Sequence, residues 1–435
     1  MTRLLLPLCV AILFAGLPST THAQRLRDRI AQLFFFPSGD VPVNQGGHPH
    51  PVTAASIQSG SPIVFLSNAM AASVANVPIG ATTSGETFRF EGGVPVSTAT
   101  SAGPIFAERG QTLGRGRVLA GMNRSTFQFS TLRGRPLSAI DITLVHENDN
   151  FAGCSAANGG QDCAKYGVPV YENDATRFDL DLDLAVNVTT FYTTLGVTDR
   201  IDFGVVIPIQ QVSFSGTNVA QIMPFGGPPV THIFGGTPMN PVLRATNTSK
   251  GDAFGIGDVA ARLKVNAFNT ATTAVALLAD ARFPTGDAQD LLGLDHFVLR
   301  SQAVISSRFG DFSPHLNTGF LYRAGGQQNH SVLATAGFDH LLGRKVTLAL
   351  DVVSEFQIGA NRLLLPGPVQ YEAPYPRTIN PTSIPDIRDD LINGSVGFKF
   401  NATRNLLFVT NALIPLNDGG MRANYTWTFG VEYAF

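Results

Sequence analysis

From about residue 113 to the C-terminus, apolar and polar positions alternate with a period of two, in runs broken by turn-forming residues. That is the side-chain period of an extended strand; a helix would scatter the same residues around its circumference. In 178–188, Phe178, Leu180, Leu182, Leu184, Val186 and Val188 stand against Asp179, Asp181, Asp183, Ala185 and Asn187. In 259–267, Val259, Ala261, Leu263, Val265 and Ala267 oppose Ala260, Arg262, Lys264 and Asn266, and 275–283 repeats the pattern. Less regular versions fill 297–309, 312–323, 330–341, 345–359, 390–401 and 404–416. The chain ends in "NYTWTFGVEYAF", whose Tyr425, Trp427, Phe429, Val431, Tyr433 and Phe435 share one face.

The connections alternate in length. Short ones fall near 402–405, 342–345, 310–311, 269–272, 198–200 and 133–136; longer ones, rich in Pro, Gly and Asn, fall at 417–422, 361–388, 324–329, 285–295, 220–254 and 148–174. Short turns at one end and long loops at the other describe an up-and-down meander set in a bacterial outer membrane. Soluble sandwiches use strands of about 5–6 residues and bury both inner faces in one apolar core. Longer strands with aromatics near their ends, and Arg, Lys and Asp opposite, suit a barrel with an apolar outside and a wet interior. Hydrocarbon offers no water to an open sheet edge, so the sheet must close. Residues 113–435 are therefore expected to supply about thirteen strands of an all-β, transmembrane antiparallel up-and-down β-barrel of about fourteen strands in all. That count includes one strand at 86–98, and twelve is the alternative if the early strands lie outside the wall.

Residues 24–112 obey a different rule. "QRLRDRIAQLFFF" spaces Leu26, Ile30, Leu33 and Phe34 as one face of a short helix, and a Gly/Pro/Ser/Ala-rich stretch comes after it. Such a segment ahead of a barrel is either an inward-folded plug or a periplasmic extension, with room for a first strand. Residues 1–23 have the layout of a signal peptide: Arg3, an apolar run from Leu4 to Leu17, and Thr21 and Ala23 at cleavage-type positions before Gln24. Cys9 would leave with it. Cys154 and Cys163, in a polar Gly-rich loop, are most simply a local disulfide in an oxidising compartment.

Composition narrows the function. Charged residues are 14% of the chain and Lys+Arg (30) nearly balances Asp+Glu (32), so no basic face for nucleic acid is indicated. "GIGDVA" (255–260) matches a dinucleotide fingerprint, but residues 261–267 alternate as a strand where that motif needs a helix. His48 and His50 in "GHPHP" lack further metal ligands nearby. The row Asp179, Asp181 and Asp183 solvates a lumen or a strand reaching beyond the bilayer. Neither a nucleophile elbow nor a phosphate loop is present, so no catalytic, metal or cofactor site is assigned, and the chain is not expected to be an enzyme.

Residues 255–323 carry a resemblance. A Gly-Asp strand opening (Gly257, Asp258), the basic inward pair Arg262 and Lys264, and "FPTGD" closing the next strand (Phe283 to Asp287) are similar to outer-membrane transporters associated with meta-pathway phenol degradation. The long-chain fatty-acid transporters are more distant relatives. The resemblance implies a monomeric barrel of about fourteen strands passing hydrophobic or aromatic small molecules, past an N-terminal plug and out through a gap in the wall. The Asn-Pro-Ala hatch signature of the fatty-acid transporters is absent near the mature start.

The expected function is an outer-membrane channel or facilitator for small hydrophobic or aromatic solutes. The alternatives are a non-transporting structural or adhesive surface barrel and, further off, a barrel hydrolase. Solute would meet Phe225, Ile233, Phe234, Tyr371 and Tyr375 in the loops, then a lumen lined by Asp202, Arg262, Lys264, Asp280, Arg282, Arg300 and Lys399. Opposite charges there should pair across the lumen, leaving little ion selectivity. The partners are outer-membrane lipid, the outer-membrane assembly machinery reading a terminal Phe435, and a small apolar solute.

Overall fold

Where the sequence alternates with period two, the chain is a strand. The computed structural model describes residues 25–36, 62–75, 88–91, 94–97, 102, 106–145, 175–224, 228–230, 233–326, 328–365, 367–371, 377–403 and 405–435. The signal-type residues 1–23, His48, His50, Phe225, Tyr375, Cys154 and Cys163 lie outside them.

In chain order come helices α1 (Leu26–Gln32) and α2 (Pro62–Ala75), then β1 (Phe88–Glu91), β2 (Val94–Ser97), β3 (Val118–Leu132), β4 (Arg135–Pro136), β5 (Ile140–Val145), β6 (Ala175–Thr198) and β7 (Ile201–Met223). Next are β8 (Gly235–Thr237), β9 (Asn240–Val242), β10 (Arg244–Ile256), β11 (Ala260–Asn269), β12 (Thr273–Arg282), β13 (Val298–Ser307), β14 (Phe312–Arg323) and β15 (Ser331–Leu342). The last are β16 (Val346–Gln357), β17 (Val369–Tyr371), β18 (Arg377–Ile379), β19 (Leu391–Asn401), β20 (Leu406–Pro415) and β21 (Met421–Ala434).

Twelve strands close a ring in the order β3, β6, β7, β11, β12, β13, β14, β15, β16, β19, β20, β21 and back to β3, every pairing antiparallel. The count is the smaller of the two the sequence allowed, for two reasons. Residues 86–98 form the separate β1–β2 hairpin. The turn at 133–136 lies at the loop end of the barrel, so β5 pairs with the upper part of β6 instead of adding a wall strand. The stretch 220–254 is not one long loop, because β7 runs to Met223 and β10 begins at Arg244.

β6 and β7 are far longer than the other walls. At ~3.3 Å per residue, the 24 residues of β6 run about 79 Å, whereas the 10 of β12 run about 33 Å. The surplus stands beyond the barrel at the loop end, flanked by β5 on β6 and by β10 on β7. In this extension the polarity of the wall inverts: Phe178, Leu180, Leu182 and Leu184 point inward and are buried, while Asp179, Asp181 and Asp183 are exposed. Lower down the same strand, Phe191, Leu195 and Val197 are exposed on the outer face, as are Leu263, Leu277, Ile305 and Phe398 on other strands. Those are lipid-facing positions, and the aspartates are surface of the part beyond the bilayer.

The inner face of the extension is covered by the two helices. Leu26, Ile30, Leu33 and Phe34 of the α1 region and Ile63, Phe65, Leu66, Met70 and Val74 of α2 join Phe178, Leu182, Val212, Phe214 and Ile142 in one buried cluster. Two glycines make the fit: a Cβ at Gly216 would stand 2.8 Å from Leu33 Cδ1, and one at Gly251 would stand 3.0 Å from Leu26 Cδ1. Ile233 and Phe234 are buried here too, Phe234 against Phe36 with ring centroids 5.3 Å apart. Phe234 therefore belongs to this core, and neither side chain presents a surface to solute.

The barrel closes at the last strand. On β21, Tyr425, Trp427, Phe429 and Tyr433 are exposed while Thr426, Thr428 and Glu432 are buried inside. Phe435 extends the seam, its N–H donating to the Val118 carbonyl at 2.8 Å, and its ring meets Tyr433 edge-on at 4.7 Å.

Candidate channel lumen

Register alone brings the inward charges together. Arg262 of β11 lies directly opposite Asp280 of β12, which lies opposite Arg300 of β13. Arg262 donates from Nε to Asp280 Oδ1 at 2.6 Å and from a terminal nitrogen to Oδ2 at 3.1 Å, and Arg300 Nε approaches Oδ2 at 3.2 Å. Lys264 faces Asp202 across the β11–β7 pair. Arg282 stands one row nearer the loop end, opposite Val298, and Lys399 of β19 is fully buried with its Nζ 3.9 Å from Glu432 Oε1. Opposite charges thus pair along the wall and not across the lumen as the sequence suggested, because a cross-strand neighbour is about 5 Å away whereas the far wall is several strands distant.

A further set of partners comes from Ala102 and from residues 106–117, which lie inside the turn end. The Ala102 N–H donates to Thr347 Oγ1 at 2.9 Å, and Lys399 Nζ reaches the Ala102 carbonyl at 3.3 Å. Glu108 accepts from Arg262 at 2.7 Å through Oε1 and from Lys264 at 3.1 Å through Oε2. Arg109 is bound to Asp339 of β15. Gly110 N–H donates to Ser306 Oγ at 2.9 Å, and Leu113 N–H donates to both oxygens of Asp202 at 3.1 Å. This strap visits β16, β15, β13, β11 and β7 before it leads into β3. Beside it, His315 Nε2 is 2.6 Å from Asp351 Oδ1, and both side chains are fully buried.

Between this strap and α2 lies a cavity of about 280 Å³. Phe106 lines it from the strap and Ala69, Ala72 and Ser73 from α2; Phe127, Phe129, Leu413 and Met421 line one side, and Arg262, Arg282, Arg300 and Arg323 the other. Arg323 is held by Glu355 at 2.7 Å.

The two motifs that carried the family resemblance meet. Between β10 and β11 the chain breaks at 257–259. Thr285 Oγ1 donates to the Gly257 carbonyl at 2.8 Å and accepts from Val259 N–H at 2.9 Å. Asp258 accepts from Gly286 N–H at 3.1 Å and from Leu294 N–H at 2.7 Å. The strand opening and "FPTGD" are therefore one lock, pinning the 283–297 loop over the point where β10 leaves the barrel wall. Burial pushes the Asp258 carboxyl above its ordinary value, and the two backbone N–H groups oppose that shift.

Glu108, Phe127, Phe129, Arg323, Glu355 and the His315–Asp351 pair were not singled out from sequence. Arg323 shares a row with Arg282, both opposite Val298, so strand parity would have found it, whereas Phe127 and Phe129 alternate as lipid-facing residues would. Glu108 sits in "FAERG", which carries no periodic signal.

An apolar outer belt, a closed sheet and a charged interior define an outer-membrane β-barrel. Over residues 157–358 the chain matches the family model described as "Putative MetA-pathway of phenol degradation", the family whose likeness the 255–323 motifs carry. Among solved structures it is similar to an outer membrane channel from Pseudomonas putida F1, with 13% identity over 75% of this chain and 98% of that one and a TM-score of 0.40. It is also similar to a FadL homologue of Pseudomonas aeruginosa, with 12% identity, 74% and 90% coverage and a TM-score of 0.32. The CymD monoaromatic hydrocarbon channel gives 10% identity, 74% and 88% coverage and a TM-score of 0.32. No curated protein matches the sequence.

Proposed function

We propose that the protein is a channel or facilitator that carries small hydrophobic or aromatic solutes across the outer membrane. The cavity between strap and α2 supports this reading: it lies inside the barrel and joins aromatic and aliphatic side chains to a few fixed polar groups, the composition of a small-molecule site. The family description, which names phenol degradation, agrees with it. Cells carrying the protein should accumulate labelled phenol or toluene faster than cells lacking it, and equal rates would overturn the proposal. A large, strongly ion-selective conductance in planar bilayers would also count against it.

In this reading residues 24–112 act as a plug, with the strap as its lower part and α1 and α2 as its upper part. Asp202, Arg262, Lys264, Asp280, Arg282, Arg300 and Lys399 line the path. Residues 1–23 direct export and are removed, and Phe435 is read by the assembly machinery. Cys154 and Cys163 form a disulfide in a long loop at the outer end; a peptide spanning both that keeps its mass on reduction would refute the bridge. The packing of the strap inside the turn end and of the two helices inside the loop end also favours a second reading, a surface barrel that transports nothing. Solute entry that stays at background after the strap is released would decide for it.

A further inference from the structure

The cavity has two unlike walls. In the ring of twelve, β14 is the sixth strand from β3 in either direction, so the two stand diametrically opposed. β3 contributes Phe127 and Phe129, whose rings stack with centroids 6.4 Å apart and an interplanar angle of 19°, and the neighbouring β20 and β21 add Leu413 and Met421. The far wall is cationic. Arg282 and Arg323 are both opposite Val298, and Arg300 is two residues along β13 from that same position, so three guanidinium groups rise from adjacent strands on one face. Among the residues lining the cavity, cations outnumber carboxylates. Asp280 is shared by Arg262 and Arg300, and Glu355 is bound by Arg323. Arg300 gives only its Nε to Asp280. Its two terminal amino groups meet no hydrogen-bond partner among the described residues, and its side chain is 33% exposed towards the cavity.

A guanidinium with free terminal N–H groups facing a cavity is a fork for a planar anion. The geometry points to an aromatic carboxylate as the solute that this cavity holds, its ring against Phe127 and Phe129 and its carboxylate on the terminal nitrogens of Arg300, between Arg282 and Arg323. The inference rests on the channel reading of the same cavity and names the class of solute.

Equilibrium dialysis of the purified full chain in detergent, with benzoate and with its neutral analogue benzyl alcohol, tests it. Benzoate should bind roughly tenfold or more tightly than benzyl alcohol. Arg300→Gln should bring the ratio close to one, and Arg300→Lys, which keeps the charge without the fork, should retain part of it. Each variant is first checked for the heat-dependent gel mobility of a closed barrel. The wild-type ratio decides even if the variants do not fold: no preference for benzoate overturns the inference, as does a folded Arg300→Gln with the preference intact. If benzyl alcohol binds and phenol uptake is normal while benzoate shows no advantage, the solute class alone falls. If neither compound binds and phenol uptake is at background, the channel reading falls with it.

Discussion

Glu108 and Arg262 are 154 positions apart in the sequence and 2.7 Å apart in the fold. The carboxylate also holds Lys264, so one residue of the strap is fixed to two buried cations of the wall. Removing one partner of a buried ion pair costs about 3–5 kcal/mol. Glu108→Ala should therefore lower the temperature at which the barrel unfolds in gel-shift assays. It should also release the strap, so that a small hydrophilic chromogenic substrate enters whole cells faster. Unchanged entry in a folded variant would mean that the strap does not close the turn end.

The helix-bearing end offers a separate test. Gly216 leaves room for Leu33, and a side chain there meets Leu33 and Leu182 at under 3 Å. Gly216→Val should cost about 1–3 kcal/mol through overpacking. It should also lift α1 from the sheet without opening the β-wall. Limited proteolysis would then cut within residues 25–36 while heat-dependent mobility persists; resistance equal to wild type would contradict the packing.

The lock at Asp258 has a pH signature. Its proton is held more tightly in the folded protein than in the unfolded chain, because burial disfavours the charged form. The carboxyl's contribution to stability therefore grows as pH falls through the raised folded value, and is complete below the ordinary value of 3.8. Asp258→Asn replaces one of two acceptors by a donor facing a backbone N–H, which costs about 1–3 kcal/mol. The gap in stability between wild type and variant should widen on acidification from neutral pH; a gap that narrows would refute the assignment.

Phe435 caps the seam between β21 and β3 and exposes its ring to the outside. Its deletion should reduce the amount of heat-modifiable barrel recovered from outer membranes while leaving uptake per folded molecule unchanged. A normal yield of folded protein would remove its role in assembly.

The wall was legible because lipid on one side and a polar lumen on the other impose a period of two, and from Val298 onward the observed strand limits fall within a few residues of the expected ones. Parity likewise puts Arg262, Lys264, Asp280, Arg300 and Lys399 opposite the apolar face of their strands. The extension was not legible. Phe178, Leu180 and Leu182 alternate as lipid-facing residues would, yet they face inward, because what decides the sign of the alternation is whether a helix or a bilayer covers that face, and α1 lies far away in sequence. The β10 strand was hidden for a related reason: Arg244 to Lys250, "RATNTSK", has solvent on one face and little apolar contrast to declare a strand. Glu108 was invisible because a strap hydrogen-bonded residue by residue to a wall needs no periodicity of its own.

The extended β6–β7 hairpin also constrains the order in which the molecule can be put together. Leu26, Ile30 and Leu33 are buried in a cluster that draws on strand residues at 178–253, all of which leave the ribosome after them. Until that hairpin and β10 are paired, the helix has no surface to rest on. The first described residues of the chain are thus among the last to acquire their neighbours, and the barrel must exist before its own leading segment can be stowed.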